Sequence, residues 1–141
     1  MKVIKPIIYD ISRSQILIEL SLKDETSTQL GKTFNKNQSG IHQQILDLRL
    51  NKWLINKNEP NYAKLTEEFI KYCREDIILS NTLKVSEQEK EVVKSIIKYS
   101  LQRCAELGYH KKKGFTISHL FNILKIKMFI DDDLREVTPV F

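Results

Sequence analysis

From Ser86 to Gly108 the chain carries a complete specification for one long helix. Val93, Ile96, Ile97, Ser100, Leu101, Cys104 and Leu107 recur at three- and four-residue steps, which places them on one continuous face. Ser86 followed three residues later by Glu89 is a capping box, in which each side chain satisfies an amide left unpaired at a helix start. Gly108 stands just past the last apolar position, where a left-handed residue closes a helix. These signals predict a helix over 86–107, and the other elements are read around it.

Two further helices precede it. Ile41, Ile45 and Leu48, then Trp53 with Leu54, give a helical period over about 41–56. A polar break from Asn56 to Asn61 contains Pro60, which suits the entry to a second helix. That helix places Leu65, Phe69, Tyr72, Cys73 and Ile77 on its buried side, with Glu67, Glu68, Lys71 and Arg74 outside. After the central helix, Thr116 is a candidate N-cap for a last helix that buries Leu120, Phe121, Ile123, Leu124 and Met128. Asp131 to Asp133 open a short C-terminal segment.

The first forty residues read differently. Residues 16–22 alternate, with Ile16, Ile18, Leu20 and Leu22 on one face and Leu17, Glu19 and Ser21 on the other, which predicts a half-buried strand. Residues 3–11 are rich in Val, Ile and Tyr and pair with it across Ile11–Gln15, with Pro6 marking an edge. Residues 24–40 form a polar connector anchored by Leu30 and Phe34. It is long enough that part of it is expected to be functional or to form a short helix. The fold class expected is α+β, predominantly α: an N-terminal β-hairpin packed on a bundle of about four helices. Residues 1–141 then form one domain, divided into 1–23, 24–40 and 41–141.

Composition supports an ordinary globular chain. Of 141 residues, 41% are hydrophobic and 29% charged, while glycine and proline are scarce. Cys73 and Cys104 fall among apolar residues, so both read as small buried hydrophobes in a reducing compartment. No apolar run approaches the ~20 residues of a membrane span, and Asp10 and Arg13 interrupt any signal-like core, so cytoplasmic residence without membrane contact is expected.

The net charge of +5 is unevenly placed. Residues 81–115 carry eight basic and four acidic side chains, whereas residues 41–80 carry six of each. Lys90, Lys94 and Lys98 recur every four residues, and Lys111, Lys112 and Lys113 follow the helix end. Together they form a candidate binding surface for nucleic acid or an acidic partner, because each phosphate neutralised by a lysine releases counterions. Tyr99, Tyr109 and Phe115 are interleaved with them and offer rings on which bases stack.

Catalytic and metal constellations are sparse. Arg103 and His110 stand near the end of one helix, and this pair loosely resembles the arginine–histidine signature of the HEPN ribonucleases. The resemblance implies a guanidinium that stabilises phosphate and a histidine that shuttles the proton. Gly108 departs from that pattern by ending the helix before His110. Residues 116–135 can be fitted to a helix-turn-helix, but Asp131, Asp132 and Asp133 would then face phosphate. His42, His110 and His119 lack zinc-ligand spacing, the aspartates lack the alternation and glycine of a calcium loop, and no Gly-rich phosphate loop is present. No metal and no cofactor are expected.

A wider resemblance is one of order. Trp53 at a helix end, a Leu65–Phe69–Tyr72 helix, the long helix 86–107, and Leu120–Phe121 running to Asp131–Asp132 are similar to the arrangement in poxviral Bcl-like proteins. That resemblance implies a non-catalytic antagonist of host signalling. The chain departs from it by having only about 12 residues between Tyr72 and the central helix. The function expected is a small non-enzymatic regulatory binding protein, of viral or mobile-element origin, acting on another protein or a nucleic acid through a helical surface.

Overall fold

The computed structural model describes residues 10–56, 62–80 and 85–122. In chain order these form α1 (Ile11–Leu22), α2 (Ser27–Phe34), α3 (Gln38–Leu50), β1 (Leu54–Asn56), β2 (Ala63–Leu65), α4 (Glu67–Ser80) and α5 (Glu87–Leu107). A 3-10 turn, Tyr109–Lys111, follows, and then helix α6, described over 117–122. The described residues are predominantly helical, with one small two-stranded antiparallel sheet among them.

Helix α5 has the ends its sequence specifies. The Glu89 amide donates to Ser86 Oγ at 3.1 Å, and the Ser86 amide donates to Glu89 Oε1 at 3.2 Å. Gly108 takes φ +75°, a left-handed conformation that costs glycine nothing, and its N–H bonds the Ala105 carbonyl. Val93, Ile96, Ile97, Ser100, Leu101 and Cys104 are all buried, whereas Leu107 is exposed at the helix end. The buried face packs against α1 and α4. From α4 come Phe69, Ile70, Cys73 and Ile77, all buried. Each such side chain contributes about 1.5–3 kcal/mol when removed from water.

The expected N-terminal hairpin is corrected. Residues 16–22 lie in α1, and Asp10 and Ile11, the last two positions of the expected first strand, are the N-cap and first residue of that helix. The rest of that strand lies outside the described residues. Asp10 Oδ1 accepts the Arg13 amide at 2.8 Å, and the Arg13 guanidinium ties Asp10 to Asp47 of α3. The apolar alternation does not correspond to alternating burial. Leu17 and Glu19, on the face a strand would turn outward, are buried along with Ile16 and Ile18. A helix covered on every side leaves no amphipathic period, so periodicity cannot separate it from a strand.

The polar connector contains α2 and the start of α3. Thr26 and Gln29 form a second capping box, Asn35 closes α2 in the left-handed region, and Asn37 caps α3. Leu30 is buried and Phe34 packs against the core, as their sequence positions suggest.

The helix expected over 41–56 is also corrected, since it ends at Leu50. Lys52 turns the chain with φ +62°, and β1 then pairs with β2, Leu54 opposite Leu65. The paired strands therefore sit at Leu54–Asn56 and Ala63–Leu65, and Leu65 belongs to a strand instead of the following helix. Trp53 is fully buried between Phe69 and Tyr72, with ring centroids 5.3 and 5.9 Å away. Thr66 Oγ1 donates to the Lys52 and Trp53 carbonyls, locking the start of α4 to β1. In α6, Ile117, Leu120 and Phe121 are buried. Ile123, Leu124, Met128 and Asp131 to Asp133 lie outside the described residues. No helix among the described residues is long and apolar enough to cross a membrane.

The Ser86 cap provides a direct check on the boundary of α5. Ser86→Ala is expected to cost about 1 kcal/mol. Urea unfolding followed by Trp53 fluorescence will show this as a lowered midpoint with an unchanged slope.

Candidate functional site

The six lysines singled out by sequence separate into two groups. Lys94 Nζ and Lys98 Nζ both reach Glu67 at the start of α4, at 3.1 and 3.0 Å. Together they hold the Glu67 carboxyl below its ordinary value, Lys98 most strongly. Lys90 pairs with Glu87 one turn away at 3.2 Å. The helical stripe thus faces α4 and its own acidic first turn. Lys111, Lys112 and Lys113 form the other group. All three are exposed, and none has an ion pair among the described residues. Lys112 Nζ lies 4.3 Å from the centre of the Tyr109 ring, a cation–π contact.

The lysines stand on a loop built by local hydrogen bonds. The Lys111 amide donates to the Gly108 carbonyl, Lys112 to Tyr109, and Phe115 to Lys112, all within 3.3 Å. Gly108 and Gly114 supply the two left-handed turns, with φ +75° and +77°. Beyond the loop, the Ile117 amide donates to buried Ser14 Oγ of α1 at 3.1 Å.

His110 fixes the loop to the interior. Its ring has no exposed surface, and Nε2 lies 2.7 Å from Glu19 Oε1 of α1. Phe34 of α2 meets the ring edge-on at 5.6 Å. Glu25 is also buried there, with Lys23 Nζ 3.3 Å from its Oε1, and its backbone bridges to Ala63 of β2. The hydrogen bond from His110 outweighs burial and lowers the Glu19 carboxyl to about 2, with a smaller contribution from Lys111. Burial, and then the adjacent Glu19 carboxylate, push the Glu25 carboxyl up to about 7. Burial also raises the Cys104 thiol to about 12, with the His110 amide opposing, so this sulfur stays protonated and unreactive.

Arg103 and His110 have different environments. Arg103 is partly exposed and lies 4.0 Å from Glu106, whereas His110 is enclosed and committed to Glu19. A proton shuttle must come within hydrogen-bond reach of its substrate, and here Nε2 is hydrogen-bonded to Glu19. Among the described residues, no three His, Cys, Asp or Glu side chains are placed to hold a metal ion together.

No motif or spacing in the sequence marks Glu19 or Glu25 as site residues. One signal was present: a glutamate inside the run Ile16-Leu17-Ile18-Glu19-Leu20 must find a partner if the run is buried. His119, which has no zinc-ligand spacing in the sequence, is the third such residue. Its ring stacks on Phe115, and its Nδ1 accepts the Thr116 amide at 3.1 Å. A separate cleft of about 450 Å³ lies between the end of α1, the sheet and α4, lined by Leu22, Lys23, Ile55, Lys64, Glu67 and Lys98 among others. Its rim mixes both charge signs. Comparison with protein-family models, curated proteins and solved structures gives no match.

The buried carboxyls predict a peaked stability profile. Glu19 is ionised in the fold down to about 2 but only to its ordinary 4.5 when unfolded, so its stabilisation is lost as pH falls from 4.5 towards 2. Glu25 holds its proton in the fold up to about 7, so its contribution falls as pH rises from 4.5 through 7. Glu25→Gln is expected to flatten the second limb, leaving the urea midpoint nearly level between pH 5 and 7.5. A variant that retained the wild-type fall over that interval would exclude Glu25 as its source.

Proposed function

We propose that this chain is a small non-enzymatic regulatory binding protein that docks an acidic macromolecule on the loop behind α5. One observation carries the reading: three consecutive exposed lysines sit on a loop whose base is fixed by the buried His110–Glu19 pair. Preorganisation reduces the ordering cost that a flexible basic segment meets on binding. The pairing of Lys90, Lys94 and Lys98 with glutamates concentrates the available charge at this end of the helix. The enclosure of His110 favours binding over strand cleavage.

Three phosphate contacts set the scale of the test. At roughly 0.7 counterions released per phosphate on a single strand, affinity for an oligonucleotide should fall roughly 20-fold between about 50 and 200 mM salt. Reversing Lys111, Lys112 and Lys113 to glutamate should abolish that binding, whereas Lys90→Gln should leave it nearly unchanged. Anisotropy titrations measure both. Binding indifferent to salt, or lost equally in Lys90→Gln, would overturn the proposal. Metal-free cleavage of the oligonucleotide would replace it with an enzymatic one.

A further inference from the structure

The loop carries a second feature that its lysines do not explain. The Tyr109 and Phe115 rings stack with centroids 6.1 Å apart and planes 27° from parallel. Phe115 stacks in turn on His119, at 5.8 Å and again 27°. Tyr109 and Phe115 are half-buried and rooted on the core, while His119 is exposed at the end of the series.

The His119 ring is held in one orientation. Nδ1 accepts the Thr116 amide at 3.1 Å and lies 3.0 Å from Thr116 Oγ1, which is itself 2.6 Å from Ser118 Oγ. A neutral ring whose Nδ1 accepts that amide carries its proton on Nε2, so Nε2–H remains a donor. The result is an oriented aromatic platform just past the loop that carries three exposed lysines, with Lys112 over the Tyr109 end of the ring series.

We infer that this loop binds single-stranded nucleic acid, with an unpaired base stacked on His119 and adjacent phosphates at Lys111, Lys112 and Lys113. The inference rests on the binding-protein reading above and names its partner. An acidic protein offers carboxylates to the lysines but no regular series of aromatic faces. A duplex offers phosphates but keeps its base faces stacked inside. A single strand presents both at once, and stacking on an aromatic ring tolerates any base. With one exposed ring and three lysines, recognition is of a short strand and is largely independent of sequence.

The test uses the full chain and four probes: a short oligo(dT), an abasic strand with the same phosphate count, a duplex of the same charge, and polyglutamate. Oligo(dT) is expected to bind about tenfold more tightly than the abasic strand, the scale of one base–aromatic stack. His119→Ala should reduce oligo(dT) affinity to the abasic level and leave abasic binding unchanged. His119→Phe restores a ring but not the bond to the Thr116 amide, so it should recover most of the loss. Equal losses in His119→Ala and His119→Phe would assign the effect to the Thr116 contact and overturn stacking. Equal affinity for oligo(dT) and the abasic strand would overturn the inference while leaving an acidic partner in place. So would polyglutamate or duplex binding as tightly as oligo(dT). Failure of all four probes to bind would remove both readings.

Discussion

His110 and Glu19 are 91 positions apart in sequence and 2.7 Å apart in space, and the functional end of the molecule is organised around that contact. An isolated carboxylate in an apolar interior is expensive, and the hydrogen bond from the enclosed histidine offsets part of that cost. Enclosure draws the backbone of the 3-10 turn against α1. The same contact brings Phe34 of α2 to the ring edge and sets Glu25 beside Glu19, with the Glu25 backbone paired to β2. Residues from α1, α2, β2 and the 3-10 turn therefore meet at one polar cluster. Lys111 follows His110 directly, so the position of the exposed charges is set by a buried one.

The lysine stripe shows why a charge pattern needs a tertiary partner before it can be interpreted. Four-residue spacing correctly placed Lys94 and Lys98 on one face of α5. Whether that face met solvent, a ligand or another helix depended on Glu67, on a different element. The pairing ties α4 to α5 along an exposed edge, where an ion pair contributes less than about 1 kcal/mol. Its larger consequence is negative: two of the six candidate lysines have their charge countered by one glutamate.

The sequence was most legible where local chemistry and tertiary packing agree. In α5 the capping box, the apolar stripe and Gly108 all state the same boundaries, and the burial of Trp53, Phe69 and Cys73 follows from apolar character alone. It was least legible in α1, where five consecutive residues from Ile16 to Leu20 are buried and β-branched isoleucines suggest a strand. There the decisive local signal was Asp10, a helix cap read as a residue that interrupts a signal-like core. Thr26-x-x-Gln29 was an equally readable capping box inside a segment read mainly for its polarity. The Glu19–His110–Glu25 cluster is a product of packing between distant segments, and no spacing in the chain encodes it. The lysine loop was visible from composition, but the anchor that gives it a fixed shape was not.

The buried cluster and the exposed loop are also joined electrostatically. Lys111 helps to hold the Glu19 carboxyl low, so an anion that neutralises Lys111 removes part of that help. On the reading given above, docking at the loop therefore raises the proton affinity of the Glu19 carboxyl beneath it. Linkage makes the effect reciprocal, and protonation of the cluster must favour docking by the same factor. The factor is modest, because the lysine is exposed and its field is screened by solvent. Its sign is nevertheless fixed: a cation that helps to hold the Glu19 carboxyl low cannot be neutralised without making that carboxyl easier to protonate.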